Sequence, residues 1–213
     1  MADRRDWGRR EYGAALAEMR SLKDRRRRGE IPDTLLLVEH PPVYTVGVEG
    51  DGGAAPPDDV PTFHVERGGR TTYHGPGQLV GYPIVDLAAR GRDVRRFVGE
   101  LEEILVEALA PFGVSAGRVP GRRGVWVDGA RKIASVGIAV EGWVTFHGFA
   151  LNVDPDLAAF GRIRPCGFDG SVMTSLAREV GRPVPLGEVV PGIVAGWDRR
   201  FSAEPAEPSP VPA

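Results

Sequence analysis

The side chains best suited to chemistry occur in three short segments that are far apart in the chain. The first, residues 67–78, reads RGGRTTYHGPGQ and places four glycines around His74. The second, residues 132–137, reads KIASVG, and the third is the tripeptide at 165–167, PCG. Glycines at this density let the backbone approach a ligand closely. We therefore interpret residues 67–78 as a ligand cradle rather than as a hairpin connection alone.

The two lysines are conspicuous because arginine dominates the basic residues. Of the 27 basic residues only Lys23 and Lys132 are lysines. Arginine cannot deprotonate in a protein, whereas a buried lysine can act as a base. Lys132 directly follows Arg131, where either cation would suit a solvated face, so its presence suggests a chemical role. Lys23 weakens this argument, since it lies on an ordinary predicted helix.

Cys166 is the single cysteine, which excludes an internal disulfide and fits a reducing cytosol. A lone cysteine is usually a small buried apolar residue. Cys166, however, stands between Pro165 and Gly167 in a polar loop, which favours an accessible thiol. A reactive thiol needs a nearby cation, and either Lys132 or His74 could supply it.

Several function classes are not supported by the composition or the motifs. The net charge of −2 does not indicate binding to nucleic acid or to a membrane surface. The N-terminus lacks the apolar core of a signal peptide. The four histidines have no spacing typical of a metal site. We expect His40 and His147 to cap backbone groups at strand ends and His64 to be exposed, and no nucleotide-binding glycine motif is present.

The elements that must position these segments alternate between strands and helices. Residues 9–28 show helical spacing, and Asp128-Gly129 is a two-residue hairpin signal. We predict an α/β (α+β) domain over residues 1–201, with a mixed, largely antiparallel sheet flanked by helices, a mobile loop at 49–61 and a disordered tail at 202–213. The predicted strands are 34–39, 43–48, 62–66, 79–87, 114–121, 124–127, 131–140 and 143–153, and the predicted helices are 9–28, 94–109, 154–160, 174–180 and 186–201.

Four sequence blocks together resemble the lipoyl (octanoyl) transferases. They are EHPPVYT at 39–45, the cradle at 67–78, FHGFALN at 146–152 and PCG at 165–167. The resemblance implies the fold of the biotin and lipoate ligase catalytic domains. The chain departs from the family pattern at Arg164, where asparagine is common, and at Phe149, where leucine is usual; the second change is expected to narrow the acyl pocket.

The resemblance also implies a reaction, its partners and the site residues. The reaction is transfer of an octanoyl or lipoyl group from acyl carrier protein to a lysine of apo lipoyl domains, in 2-oxoacid dehydrogenase complexes and the glycine cleavage H protein. It implies a cytoplasmic enzyme with no cofactor and no metal. Cys166 would be the acyl-thioester nucleophile and Lys132 the group that lowers its pKa. The implied acyl-pocket residues are Arg67, Gly68, Gly69, Arg70, Thr71, Thr72, Tyr73, His74, Ser135, Val136, Gly137, Gly148, Phe149 and Ala150.

Chemical reasoning adds two expectations about how this site would work. Backbone N–H groups of the glycine-rich loops, assisted by His74, would stabilise the tetrahedral oxyanion. Acyl carrier proteins are acidic, so two or three of the arginines near the site segments would steer the carrier. Those arginines are Arg67, Arg70, Arg122, Arg123, Arg162 and Arg164.

Two other functions fit parts of the same pattern. An ATP-dependent lipoate or biotin ligase of this fold would form an acyl-adenylate and would not need a nucleophilic thiol, so Cys166 argues against it. A non-catalytic protein that binds acyl groups or lipoyl domains would keep the pocket and would tolerate replacement of Cys166 by alanine.

Overall fold

A computed structural model describes residues 3–52, 55–164 and 169–202. None of its helices is long and apolar enough to cross a membrane within these ranges. The α-helices are α1 (Tyr12–Arg27), α2 (Val94–Leu109), α3 (Leu176–Val180) and α4 (Leu186–Phe201). The strands are β1 (Asp3–Arg9), β2 (Thr34–Glu39), β3 (Val43–Val46), β4 (Thr62–His64), β5 (Thr72–His74), β6 (Gln78–Ile84), β7 (Ala116–Val119), β8 (Arg122–Val127), β9 (Arg131–Glu141) and β10 (Val144–Asn152).

These strands form two sheets. The large sheet has seven strands in the order β1-β2-β6-β10-β9-β8-β7, and the small sheet has the order β4-β3-β5. All neighbours are antiparallel except β1 with β2 and β3 with β4. The predicted mixed, largely antiparallel sheet flanked by helices is therefore confirmed.

Strand β2 shows how the sheet separates two cores. Leu35 and Leu37 belong to the core that α2 and α4 cover, whereas Leu36 and Val38 belong to the core beneath α1. Successive side chains of a strand point to opposite faces, so the continuous apolar run LLLV at residues 35–38 fits a strand buried on both sides.

The first strand is absent from the sequence prediction. The segment DRRDWGR has little β propensity, yet Asp3–Arg9 pairs in parallel with β2 and is connected to it through α1. Its alternating exposure and its charged side chains suit a sheet edge, where charge discourages pairing with another chain. Tertiary pairing, rather than local preference, creates this strand.

Most predicted boundaries hold to within a few residues. The first hairpin turns at Asp128-Gly129 as predicted, with φ of 50° and 68°. The second turn lies one residue later than predicted: Gly142 and Trp143 have φ of 56° and 66°, and Glu141 pairs with Val144. The segment predicted as a helix at 154–160 is a 3-10 helix at Leu157–Arg162. Of the predicted disordered tail at 202–213, Ser202 caps α4 with its N–H on the Asp198 carbonyl, and residues 203–213 lie outside the described residues.

Candidate active site

A cavity of about 220 Å³ opens between the large sheet, the small sheet and the start of α1. Its floor comes from two predicted segments that the antiparallel register places opposite each other. Ser135 faces Ala150, Val136 faces Phe149, and Gly137 faces Gly148. Apolar side chains from four elements complete the walls, namely Tyr12, Val80, Tyr82, Val136, Phe149 and Ala150.

The cradle residues form one rim of this cavity. Arg67, Gly68, Gly69, Arg70, Thr72 and His74 all line it. Thr71 and Tyr73 do not belong to the lining. The β-strand alternation in β5 explains this for Tyr73, because Thr72 and His74 share one face while Tyr73 packs on the other, against Tyr44 and Phe160.

The cradle crosses β9 at very close range. The Gly68 N–H donates to the Ile138 carbonyl at 2.9 Å. A Cβ added at Gly137 would lie 3.0 Å from the Gly68 carbonyl oxygen, so a side chain there would push the loop away. The Arg67 guanidinium is buried and donates to both the carbonyl and the hydroxyl of Thr45, at 2.7 and 2.8 Å. Arg67 therefore fixes the cradle to β3.

Several glycine N–H groups of the cradle are already hydrogen-bonded. Besides Gly68, the Gly69 N–H donates to a carboxylate oxygen of Glu49 at 3.0 Å, and the Gly77 N–H donates to Glu39 at 2.8 Å. These three donors are committed to the fold. The expectation that the glycine-rich loop supplies donors to an oxyanion does not hold for them.

The floor of the pocket depends on a pair of complementary residues in adjacent strands. Phe149 of β10 is the register partner of Gly81 of β6. A Cβ added at Gly81 would lie 2.2 Å from the Phe149 ring. Because Gly81 has no side chain, it leaves room for the ring of Phe149. Phe149 stands at the position where the family resemblance predicts leucine.

Lys132 is a buried lysine at the edge of this pocket. Its side chain is 1% exposed and lines the cavity. The ammonium nitrogen lies 5.5 Å from the ring centre of Trp126, a distance suited to a cation–π contact. A Cβ added at Gly124 would lie 2.9 Å from Lys132 Cε, so that glycine gives the lysine stem its space.

Lys23 lies on the helix α1, as the sequence predicts, and it also occupies a specific buried position. Its side chain is buried on α1, and its ammonium donates to Glu141 at 2.7 Å. It also lies 3.2 Å from Asp24 and 5.3 Å from the ring centre of Phe146. Both lysines of this arginine-rich chain are therefore buried. They differ in that Lys132 lines the cavity, whereas Lys23 is paired with two carboxylates and does not belong to the described cavity lining.

Cys166 lies outside the described residues, so its predicted approach to Lys132 stays a prediction. The described chain on either side of 165–168 can be followed. Ile163 and Met173 both belong to the apolar cluster that contains Tyr73. Met173 forms a parallel bridge with Lys132, and the next residue, Thr174, donates its N–H to the Lys132 carbonyl at 3.0 Å. The flank that begins after residue 168 therefore runs beside Lys132 in β9.

His74 is a neutral imidazole, which excludes it as the cation beside a thiolate. Burial lowers its pKa to about 3, with a further decrease from nearby His40 and Arg67. Its ring is parallel to that of Tyr12, with 6.1 Å between ring centres. Of the two cations that the sequence offered, only Lys132 is suited to this role.

His147 lines the cavity, although the sequence suggested only a backbone cap. Pro83, in the neighbouring strand β6, has no N–H to donate to the sheet. Next to it, the Thr145 hydroxyl of β10 takes part in the pairing in place of backbone groups: it donates to the Pro83 carbonyl at 2.7 Å and accepts from the Val85 N–H at 3.0 Å. At this break His147 adopts φ of 58°. Burial lowers its pKa to about 4 despite a 3.3 Å contact with Glu66. The sequence around His147 gives no signal for its positive φ or for its place in the cavity, because both depend on the neighbouring strand β6.

The buried histidines should make the fold sensitive to mild acid. His74 and His147 have pKa values of about 3 and about 4 in the folded chain, against about 6.5 when unfolded. Below pH ~6.5 the unfolded chain binds protons that the folded chain does not, so stability decreases. Between about pH 7.5 and pH 5, we expect the free energy of unfolding to fall by about 4 kcal/mol, measured by guanidinium titration.

The variant His147→Asn provides the control for this pH effect. Asparagine tolerates a positive φ, and it removes one of the three buried histidines whose pKa burial lowers. The loss of stability between the two pH values should therefore be about 2 kcal/mol smaller than in the parent chain. Equal unfolding free energies of the parent chain at both pH values would contradict the assignment of buried neutral histidines.

The described residues contain no group of three or more metal-binding side chains that could hold an ion.

The mouth of the cavity is strongly basic, with Arg70, Arg122 and Arg123 in its lining. Arg123 is paired with Glu49 at 2.9 Å across the mouth. Arg162 is bound to Asp59 at 2.7 Å and is not among the cavity residues.

Comparison with known proteins identifies the family. Residues 11–197 match the model of the lipoyl protein ligase A/B catalytic domain. An octanoyltransferase from Geobacter metallireducens is 48% identical over 211 residues, which cover 97% of this chain and 99% of that protein.

Solved structures show the same fold at low sequence identity. A lipoate-protein ligase A bound with ATP aligns with a TM-score of 0.71 at 16% identity, covering 94% of this chain and 85% of the other. The biotin protein ligase from Aquifex aeolicus in complex with biotin and ATP aligns with a TM-score of 0.57 at 12% identity, covering 94% of this chain and 70% of the other. The extent of the family match and the close octanoyltransferase relative show that this chain is an acyltransferase of the octanoyltransferase family, within the lipoyl protein ligase A/B catalytic domains.

Proposed function

We propose that this enzyme transfers an octanoyl group from the thioester of an acyl carrier protein to a lysine of an apo lipoyl domain, through a thioester on Cys166. The observation that carries the proposal is a single cavity that combines an apolar floor with a buried lysine at its edge. The octanoyltransferase relatives support the acyl group and the reaction class. The proposed acceptors are the lipoyl domains of 2-oxoacid dehydrogenases and the glycine cleavage H protein, in the cytoplasm.

The cavity suits a saturated acyl chain. Its walls between Val80 and Phe149 are apolar, and each buried methylene contributes about 0.8 kcal/mol to binding. The polar rim formed by the cradle and the arginines would lie at the carbonyl end and toward the protein carrying the acyl group. This arrangement orients the thioester toward Lys132.

In the first half-reaction, the Cys166 thiolate would attack the carbonyl carbon of the carrier thioester. A new carbon–sulfur bond forms, the bond to the carrier sulfur breaks, and the departing thiolate takes a proton from the Lys132 ammonium. One thioester replaces another, so this exchange needs no ATP.

In the second half-reaction, the amine of the lipoyl lysine would attack the enzyme thioester. A carbon–nitrogen bond forms, the carbon–sulfur bond to Cys166 breaks, and neutral Lys132 accepts the proton that the amine loses. The thiolate and the ammonium are then restored. Because one protein leaves before the other binds, ping-pong kinetics are expected.

Intact-mass analysis after mixing the protein with octanoyl acyl carrier protein tests this function. We expect a mass increase of one octanoyl group, which an apo lipoyl domain then removes. If ATP and free octanoate supported turnover while the carrier thioester gave neither adduct nor product, the enzyme would be a ligase and the proposal would fail.

The basic mouth predicts how the carrier is recognised. We propose that Arg122 and Arg123, both exposed in the cavity lining, attract the acidic carrier. Reversing both charges to glutamate should lower kcat/KM for octanoyl acyl carrier protein at least about tenfold more than for a small octanoyl thioester. Higher ionic strength should reduce the rate for the carrier substrate of the parent enzyme.

The matched control for this charge reversal is Arg95→Glu. Arg95 is exposed on α2, an element that contributes nothing to the described cavity lining. An equal loss in this control, or a carrier reaction that ignores ionic strength, would refute the steering role of Arg122 and Arg123.

A further inference from the structure

The single glutamine and the single asparagine of the chain are hydrogen-bonded to each other beneath His74. The Gln78 amide nitrogen donates to Asn152 Oδ1 at 2.9 Å and to the Tyr73 carbonyl at 3.1 Å. The Asn152 amide nitrogen donates to the Thr174 carbonyl at 2.9 Å. His74 Nδ1 lies 3.0 Å from Gln78 Oε1. All five of these residues are buried.

The direction of each hydrogen bond in this network is determined by the two backbone carbonyls at which the network ends. A backbone carbonyl only accepts, so the Thr174 carbonyl requires the amide nitrogen of Asn152, and the Tyr73 carbonyl requires that of Gln78. With both amides oriented, Gln78 Oε1 faces the imidazole. An amide oxygen cannot donate, so His74 Nδ1 must carry the hydrogen.

The same network determines the other ring nitrogen of His74. The histidine is neutral because burial holds its pKa at about 3. A neutral imidazole with hydrogen on Nδ1 has a bare lone pair on Nε2. His74 lines the cavity, and Nδ1 is turned toward Gln78, which lies outside the lining, so Nε2 is the polar atom left for a ligand. His74 therefore cannot donate to an oxyanion, contrary to the expectation from sequence.

The groups around His74 do not reverse this arrangement. Tyr12 of α1 stacks on the ring, and His40 meets it edge-on with 6.1 Å between ring centres. His40 is engaged through both nitrogens, with the Arg10 carbonyl at 2.7 Å and the Tyr82 hydroxyl at 2.8 Å. Arg67 and His147 also act on His74, and Arg67 opposes any positive charge on it.

A lone pair in an acyl-transfer pocket fits a substrate that carries N–H groups. We propose that Gln78 and Asn152 hold His74 in the Nδ1–H tautomer, so that Nε2 accepts a hydrogen bond from the attacking lysine amine of the lipoyl domain. The inference rests on the proposed function and deepens it. His74 would contact the substrate as a catalytic residue, and Gln78 and Asn152 would be positioning residues.

His74 orients the amine but does not take its proton. Burial lowers the pKa of the His74 imidazole to about 3, so Nε2 is a weak base that can accept a hydrogen bond from the amine but is a poor acceptor for its proton. The amine has two N–H groups, so one can bind Nε2 while the other proton passes to Lys132. Thr174 connects the two sites, because its carbonyl accepts from Asn152 and its N–H donates to the Lys132 carbonyl.

Imidazole nitrogen NMR of the full-length protein tests the tautomer directly. With ¹⁵N-labelled histidine, the His74 signals are identified by their loss in His74→Asn. We expect a protonated Nδ1 and an unprotonated Nε2 at neutral pH. In Gln78→Leu the amide oxygen is removed, and the Nε2–H form should become populated. A dominant Nε2–H tautomer in the parent protein would overturn the inference even if the variant failed to fold.

Separate measurement of the two half-reactions tests the role of the lone pair. Asparagine at 74 retains a donor near the Nδ1 position and removes Nε2. In His74→Asn, discharge of the octanoyl enzyme to the lipoyl domain should slow about tenfold to a hundredfold relative to its loading by the carrier. The control His64→Asn makes the same change at an exposed residue outside the lining and should leave both rates unchanged.

The outcomes separate this inference from the proposed function. Equal slowing of loading and discharge in His74→Asn, or no slowing, would refute the role of Nε2 while leaving the thioester mechanism intact. Failure of the parent enzyme to form any octanoyl adduct would refute the proposed function, and with it the role of Nε2. The NMR result would then still decide the tautomer.

Discussion

Replacement of Cys166 by alanine is expected to abolish the octanoyl adduct and to lower octanoyl transfer at least about a thousandfold. Covalent catalysis divides a difficult transfer between two large proteins into two separate attacks, and alanine provides neither the nucleophile for the first attack nor the thioester that the second attack requires. Cys166 is the single cysteine of the chain, so a thioester detected by intact mass has one possible position. Steady-state octanoylation of an apo lipoyl domain gives the rate.

The variant Cys166→Ser distinguishes a missing nucleophile from a damaged loop. Serine is nearly the same size, but its hydroxyl is a much weaker nucleophile than a thiolate without an adjacent base. We expect it to retain binding of octanoyl acyl carrier protein while turnover remains very low. Transfer by Cys166→Ala at the parental rate would instead support direct attack by the lipoyl lysine on the carrier thioester.

Replacement of Lys132 by arginine is expected to lower overall turnover about a hundredfold to ten-thousandfold. The positive charge is retained, but arginine cannot become neutral and accept the proton of the attacking amine. The site is also tight, because Lys132 is 1% exposed and its stem lies against Gly124. Arginine also cannot give a proton to the departing carrier thiolate, so mass spectrometry should show an octanoyl enzyme that forms slowly and then persists in the presence of the lipoyl domain.

The second lysine provides a matched control for this substitution. Lys23 is also buried, but its ammonium is bound to Glu141 and Asp24, which a guanidinium can equally satisfy. Lys23→Arg should therefore transfer octanoyl groups at nearly the parental rate. Near-normal turnover of Lys132→Arg would refute the proton-shuttling role, and a thermal unfolding curve similar to that of Lys23→Arg would show that a low rate is not due to misfolding.

Local patterns predicted the elements whose stability depends on their own residues. The apolar face of α2 and the turn at Asp128-Gly129 have their expected positions because periodicity and positive-φ preference act over a few residues. The strand at Asp3–Arg9 was missed because it exists only through pairing with β2. The turn at Gly142-Trp143 was displaced by one residue because cross-strand register, not residue preference, determines where a hairpin closes.

The sequence by itself determined which residue types were available for chemistry: one thiol, two lysines, and a cradle whose glycines permit close backbone contact. It could not determine which of them meet, because contacts between β9, β10 and the cradle join residues far apart in the chain. Only the tertiary structure decided that Lys132 is buried at a cavity, that His74 is neutral, and that Gln78 and Asn152 orient it. Burial and hydrogen-bond direction are properties of surroundings, and those surroundings form only when the distant segments pack together.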